Sequence, residues 1–158
     1  MRWIDTDVDR ARWRATGTVR VHPRAQVGLE YNIAVGEVDL LATVFLMLED
    51  ERRPALFLGT SSDRIGSPEG TQCYYATVAK RLGAWPVAPY VSLNWSEWDD
   101  GFNVPFGAHI DLSRGFGLQP MYDGDRGHLL AMWSGERVNV TAIWAWFESA
   151  GLAVTVGF

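Results

Sequence analysis

Several stretches of the chain alternate between apolar and polar residues, the pattern of a β-strand with one buried face. Residues 18–22 and 27–33 alternate in this way, and the link between them contains Pro23. This pattern predicts a β-hairpin. Runs of similar length predict further strands at residues 90–95, 104–112, 128–133 and 152–158.

Three other segments carry the start and stop signals of α-helices. The clearest covers residues 67–83, where Ser67 is a candidate N-cap, Pro68 occupies the first helical position and a glycine closes the segment. In residues 5–15 aspartates precede arginines, an order that suits the helix dipole. Residues 139–150 place apolar side chains at helical spacing. The sequence predicts a helix in each of the three segments.

The segment 37–51 fits two structures. Its apolar residues cover about half of a helix circumference, but its acidic residues 49–51 would lie at the negative end of the helix dipole. Residues 43–48 and 55–59 could instead form two strands around a charged turn. We favour a short helical turn followed by a hairpin and keep the strands as the alternative.

These elements indicate an α+β fold in one globular domain covering residues 1–158. Most strands are joined by short links, so we expect a largely antiparallel sheet of about 6–8 strands. Two or three helices would pack mainly on one face of that sheet. The chain length is typical of a single domain with its own core.

The charge balance narrows the class of partner. The net charge at pH 7 is −5, so the chain is a poor non-specific ligand for nucleic acid. A single cysteine, Cys73, excludes an intrachain disulfide. No apolar run approaches the ~20 residues of a membrane-spanning helix, and the first residues lack a signal-peptide pattern. We therefore expect a cytoplasmic protein that binds neither nucleic acid nor membrane.

The most unusual segment is a turn that combines tryptophans with carboxylates. Tryptophan is common at binding hot spots, and acidic neighbours attract a basic partner. The alternation of residues 90–95 accounts for one tryptophan of this segment, but no periodicity accounts for Trp98. Another tryptophan lies on the flank of the apolar stripe of residues 139–150. The predicted partner-binding residues are Trp95, Glu97, Trp98, Asp99, Asp100, Phe102 and Trp146.

Our leading functional hypothesis is a non-catalytic domain whose acidic, tryptophan-bearing surface occupies a basic site on another protein. Small bacterial immunity proteins, which neutralise a toxin enzyme in this way, share the size, the acidity and the absence of catalytic motifs. The expected partner is a basic protein such as a toxin enzyme. Phosphate-loop and dinucleotide fingerprints are missing, so no cofactor is expected. The final strand, residues 152–158, would join two copies if no other strand pairs with it.

An enzymatic alternative uses two imidazoles and three carboxylates. His109 and Asp111 lie two residues apart on a predicted strand, so they point to one face. A glycine-rich loop could return further ligands to that face, and such a set suits Zn, Mn or Fe. The metal would activate a water for a hydrolase or lyase. The candidate ligands are His109, Asp111, Asp123, Asp125 and His128.

Two further alternatives rest on single features. Cys73 could act as a nucleophile with His109 or His128, although a lone cysteine beside two tyrosines is typical of a small core residue. No G-x-S-x-G elbow supports serine hydrolase chemistry. The eight tryptophans exceed what a core of this size easily buries. Some of them would line the pocket of an aromatic small-molecule binding protein.

Overall fold

The described part of the chain is built from β-strands. A computed structural model describes residues 1–5 and 12–157, and within these ranges it contains no helix. None of these residues therefore forms a helix long and apolar enough to span a membrane. The strands are β1 (Arg2–Ile4), β2 (Trp13–His22), β3 (Ala25–Asn32), β4 (Val38–Met47), β5 (Ala55–Ser62), β6 (Gln72–Ala79), β7 (Val87–Ser96), β8 (Gly101–Asn103), β9 (Phe106–Asp111), β10 (Phe116–Tyr122), β11 (Gly127–Ser134), β12 (Val138–Ala145) and β13 (Ser149–Val156).

The strands form one closed antiparallel β-barrel with twelve strand positions. Neighbours in the chain pair with each other, β1 pairs with β13, and β6 pairs with β7 from Cys73–Ser96 to Ala79–Tyr90. Strands β8 and β9 together occupy one strand position of the barrel, because both pair with the same side of β7 in one continuous register. The thirteen strands therefore make a twelve-stranded barrel. Pro105 interrupts them, yet its carbonyl still accepts a bond of 2.8 Å from the Ser92 amide.

The final strand has partners on both sides, whereas the sequence alone allowed it to be a free edge that joins two copies. Strand β13 pairs with β12 on one side and with β1 on the other. The terminal ammonium of Met1 also donates to the Val154 carbonyl at 2.7 Å. From Gly151 to Val154, β13 therefore offers no unpaired backbone to a second copy. Phe158, the last residue of the predicted strand, lies outside the described residues.

The predicted α+β class is wrong, because the segments predicted as helices contain strands. Most of residues 67–83 is a loop followed by β6, and residues 139–150 are β12, a tight turn and the start of β13. Residues 13–15 belong to β2, whereas residues 6–11 of the first predicted helix lie outside the described residues. The comparison with immunity proteins assumed a compact α+β domain, so the barrel leaves it without support. Ser67 and Pro68, which the sequence presents as the start of a helix, lie in the loop before β6.

The physical reason for this error is that both faces of these strands carry apolar or aromatic side chains. In β6, Tyr74 points outward and Tyr75 inward, so apolar residues also recur at a spacing of three or four. Such a run satisfies a helical template as well as a strand template. Pairing with β5 and β7 then decides the structure, since tertiary context overrides local propensity. Residues 38–47 likewise form β4, which confirms the strand alternative there.

The exterior of the barrel is apolar, its upper interior is rich in charged and polar side chains, and its lower interior mixes polar with aromatic and aliphatic ones. Side chains alternate between the two faces along each strand. The buried apolar residues are Ile4, Cys73 and Ala145. The buried polar or charged residues are more numerous: Arg14, Glu30, Asn32, Asp39, Asp63, Ser67, Thr77, Ser92, Ser96 and His128. The interior, called the lumen below, is therefore not the apolar core that the sequence had suggested.

The two ends of the barrel differ in their connections. We call one end upper; it carries Asp5 and Arg12 and the connections 33–37, 63–71, 97–100, 123–126 and 146–148. The lower end carries the connections 23–24, 48–54, 80–86, 112–115 and 135–137. The segment 63–71 matters most, because it folds back over the lumen and contributes side chains to it.

Candidate functional site

The upper lumen holds a cluster of charged side chains, which we call the charge cluster: Arg2, Arg14, Glu30 and Glu69. Arg14 on β2 is only 2% exposed, and its guanidinium donates to Glu30 on β3. The other guanidinium nitrogen reaches the Glu69 carboxylate at 3.3 Å. The burial of two opposite pairs of charges is favourable only when each group has partners. Here the four residues come from four separate segments, so the cluster ties β1, β2, β3 and residues 63–71 together.

Neutral side chains complete the hydrogen bonds of the two glutamates. Thr16 donates to Glu30 at 3.2 Å, and Ser62 donates to the same carboxylate at 2.6 Å. The Asn32 amide donates to Glu69. Each carboxylate thus accepts bonds from charged and neutral donors together, which limits the cost of its burial. Polar side chains fill the upper lumen around these groups.

The segment 63–71 is held against the barrel at its own ends as well as through Glu69. Ser96 at the end of β7 donates to Asp63. Arg64 forms a two-pronged ion pair with Asp99, with distances of 2.6 and 2.9 Å. The bond from Arg64 lowers the pKa of Asp99 and raises that of Arg64 itself. This segment is therefore a fixed cover on part of the upper lumen.

A histidine and an aspartate form a second buried pair near the same end. His128 Nε2 lies 2.6 Å from Asp123 Oδ2, and the imidazole is 3% exposed. Burial raises the pKa of Asp123, but the bond with His128 and the backbone amides of Asp125 and Arg126 outweigh it and lower the pKa overall. The other ring nitrogen of His128, Nδ1, is buried without a hydrogen-bond partner in the protein. The pair could therefore position a water or a ligand group through Nδ1.

The acidic aromatic turn lies at the upper rim, and most of its carboxylates are engaged. Glu97 accepts hydrogen bonds of 3.0 Å from the backbone amide of Gln72 and from the Tyr74 hydroxyl. Asp99 pairs with Arg64, whose guanidinium also lies 4.7 Å from the ring centre of Trp98. Asp100 adopts a left-handed φ of 48° in the turn.

The aromatic residues of this turn face outward. Trp98 is 43% exposed and Phe102 is 69% exposed. Trp95 lies edge-on against Phe102 with ring centres 5.0 Å apart. Trp146 lies in another turn, half-buried between Arg126 at 5.0 Å and His128 at 6.4 Å. The predicted partner-binding residues therefore share the upper end, with Trp146 packed on a different turn.

The five candidate metal ligands do not form one site. His109 and Asp111 point to the same face, as predicted, and their side chains are 2.9 Å apart, but they lie in the lower half of the barrel beside Arg81. Asp123 and His128 form the upper pair, while Asp125 contacts Arg126 at 3.5 Å. Within residues 1–5 and 12–157, no three His, Cys, Asp or Glu side chains gather as metal ligands. The side chain of Cys73 on β6 is buried. Within the described residues, neither His109 nor His128 forms a hydrogen bond with its thiol, so the structure does not pair it with a base.

All eight tryptophans lie toward one end of the barrel or the other. Trp3, which pairs with Trp13, belongs to the upper group with Trp13, Trp95, Trp98, Trp144 and Trp146. Trp85 and Trp133 lie at the lower end. The middle of the exterior carries aliphatic side chains such as Leu29, Leu40 and Leu58. Six tryptophans thus lie toward the upper end and two toward the lower end, and we call these two groups the aromatic belts.

Sequence reasoning missed the charge cluster and the apolar exterior. The signal for the cluster is an alternation of polar residues within strands: Arg14, Thr16, Thr18 and Arg20 in β2, then Gln26, Gly28, Glu30 and Asn32 in β3. The sequence pattern instead predicted a helix that contains Arg14, and it predicted that the apolar face of residues 27–33 is the buried one. The polar positions point inward, because the closed ring turns that face toward the lumen.

Comparisons of this chain with protein-family models, with curated proteins and with solved structures each found no match.

Proposed function

We propose that this chain is an integral membrane β-barrel whose apolar exterior contacts lipid tails and whose lumen admits small molecules. The observation that carries the proposal is the reversal of polarity between the two faces of the barrel. In β4 the outward side chains Val38, Leu40, Val44 and Leu46 are all exposed, while Asp39 between them is buried. Other strands repeat this pattern around the ring, as with Leu152, Val154 and Val156 in β13.

An exterior of this kind is unfavourable in water. Monomeric proteins in water rarely expose continuous apolar patches larger than a few hundred Å². A lipid bilayer removes that cost, because its tails are as apolar as the side chains that they would contact. Pairing around the ring also satisfies most strand amides and carbonyls internally, as the hydrocarbon region requires, although β1 pairs with only Trp13 and Arg14 of β2. Lipid tails can thus surround the apolar exterior of the barrel on all sides.

The aromatic belts support the same environment. Tryptophan and tyrosine favour the boundary between lipid tails and water, and membrane barrels carry such belts above and below an apolar band. Strands β2, β4 and β7 have ten residues each, within the range of about 9–11 residues for a tilted membrane strand. This proposal departs from the cytoplasmic expectation for a simple reason: a strand alternates, so it contains no long apolar run.

The lumen supports the aromatic small-molecule binding alternative more than the enzymatic one. It contains a cavity of about 470 Å³ in its lower half and one of about 370 Å³ beside the charge cluster. The two His–Asp pairs lie at opposite ends, which removes the basis for a shared metal. Binding of a basic protein at the acidic aromatic turn remains a separate prediction. On that prediction, Trp98→Ala weakens binding of a basic partner by about 1 kcal/mol or more.

Quenching by brominated lipids tests the membrane proposal. The protein is reconstituted into vesicles whose phospholipids carry bromine either near the headgroup end or near the middle of the acyl chain. We expect strong quenching of tryptophan emission, greater from the shallow bromine because the belts lie at the two interfaces. Vesicles without bromine are the control. A monomer that stays in solution without detergent and shows no quenching in either lipid would overturn the proposal.

A further inference from the structure

The lower lumen contains a cavity that is separate from the charge cluster and from the Asp123–His128 pair. Its volume is about 470 Å³, within the range of small-molecule pockets. Its walls come from inward positions of β5, β6, β7, β9 and β10, including Tyr75, Tyr90, Asn94, His109 and Gln119. The cavity is therefore built from rigid strands and not from mobile loops.

Most polar atoms in these walls already have partners. Tyr75 and Thr43 share a bond of 2.8 Å between their hydroxyls, and Thr77 and Ser92 share one of 2.6 Å. Because these hydroxyls bond to each other, they need no hydrogen bond from a ligand. The wall around them is aromatic or aliphatic, so the cavity favours an apolar body.

Two groups at the deeper part of the cavity can still bind a ligand. The carbonyl oxygen of the Asn94 side chain is buried without a hydrogen-bond partner. The Tyr90 hydroxyl accepts a bond of 3.3 Å from Gln119, which leaves its own hydrogen available. A buried acceptor without a partner is costly, and a ligand donor would remove that cost. The site therefore suits a molecule with an O–H or N–H group at one end.

The ionisable groups of the walls indicate an uncharged ligand. Apart from the two tyrosines, His109 is the ionisable residue of the lining, and its Nε2 lies 2.9 Å from Asp111. No carboxylate or guanidinium belongs to the lining, so an ion placed here would lack a counter-charge.

The shape of the lumen indicates entry from the lower end. Met121 lines both this cavity and the upper one, so it lies between them. Above it stand the charge cluster and the segment 63–71. At the lower end the cavity is lined by the small side chains of Ala79 and Ala88, each within two residues of its strand terminus. A ligand can therefore enter the cavity past these two alanines, with its polar group leading.

We propose that the lower lumen cavity, with its unpartnered Asn94 carbonyl and its Tyr90 hydroxyl, binds an uncharged small molecule that has an apolar ring body and one hydrogen-bond donor. The inference deepens the lumenal part of the proposed function, and it does not depend on the environment of the exterior. Binding in detergent and quenching by brominated lipid therefore succeed or fail independently.

The test uses 2-naphthol as the probe, with naphthalene lacking the donor and 2-naphthoate carrying a charge. The readout is the NMR shift of the Met121 methyl group in the folded protein, with the Met1 methyl as the reference. We expect saturable binding of 2-naphthol, and at least several-fold weaker binding of the other two compounds. Asn94→Leu should weaken 2-naphthol binding roughly tenfold and leave naphthalene unchanged.

Two tryptophan substitutions on β6 form a matched pair. Ala79→Trp fills the mouth of the cavity and should abolish the Met121 response, whereas Ala76→Trp on the outward face should preserve it. If 2-naphthol moves Met121 equally in both variants, the ligand binds elsewhere and the proposal fails. It also fails if wild-type Met121 does not respond, or if 2-naphthoate binds as tightly as 2-naphthol.

Discussion

Leu29 and Glu30 are neighbours on β3 and occupy opposite environments. Leu29 is 54% exposed on the outside of the barrel, whereas Glu30 is 8% exposed inside it. In a protein folded around an apolar core these fractions would be reversed. The outer face needs an apolar solvent, while the inner face needs hydrogen-bond partners supplied by the protein. Stability should therefore respond to opposite changes on the two faces.

The largest expected effect is the loss of a cation from the inner face. Arg14→Met removes one of the two cations that face Glu30 and Glu69, so we expect a loss of about 3–5 kcal/mol in the free energy of unfolding. Urea unfolding in detergent or lipid measures it. Arg12→Met, which removes the exposed pair with Asp5, is the matched control and should cost less than about 1 kcal/mol. Equal losses in both variants would contradict a structural role for the charge cluster.

A new cation on the outer face gives the next largest effect. Ala131→Arg at mid-height should cost about 2–4 kcal/mol in lipid, because the charge would lie among acyl chains. Val138→Arg, near the lower end of the neighbouring strand, should cost about 0–1 kcal/mol. The comparison is made by urea unfolding from vesicles. If both variants lose nothing, water and not lipid surrounds the exterior.

A smaller effect on the free energy of unfolding is expected from Asp123, which pairs with His128 near the upper end of the lumen. The pKa of Asp123 is lowered from its usual value of 3.8 in the folded protein, so its ionised form stabilises the fold above that value. Asp123→Asn should therefore cost about 1–3 kcal/mol near neutral pH. The difference from wild type should shrink as the pH falls through the lowered pKa of Asp123. Unfolding measured across acidic pH checks this, and a difference independent of pH would assign the effect to packing alone.

Alternation correctly predicted several strands; the faces of residues 18–22 and 90–95 differ clearly in polarity, whereas residues 128–133 are largely apolar on both faces. Residues 18–22, 90–95 and 128–133 all lie within strands, and the hairpin around Pro23 joins β2 to β3. The predicted helices fail where both faces are apolar or aromatic, as in β6 and β12. Cap-like residues such as Ser67 then belong to loops, because pairing with neighbouring strands stabilises the extended chain more than a local cap stabilises a helix.

The sequence predicted candidate sites within one strand, but it did not predict those that join different strands. The i, i+2 spacing placed His109 and Asp111 on one face, and the structure brings them together. No spacing could place Asp123 and His128 at the opposite end of the barrel, since that depends on which strands become neighbours. The charge cluster was equally beyond reach, because Glu69 meets Arg14 across 55 positions of sequence.

Alternation within the sequence determined that the two faces of each strand would differ, and the single cysteine determined that no disulfide would hold the chain together. It did not determine which face would point inward, because a period of two residues is the same for either orientation. Ring closure between β6 and β7 and between β1 and β13 made that choice and enclosed the polar face. The physical reason is that charged side chains from different strands could satisfy one another only inside a closed lumen, while the apolar side chains were left to the surroundings.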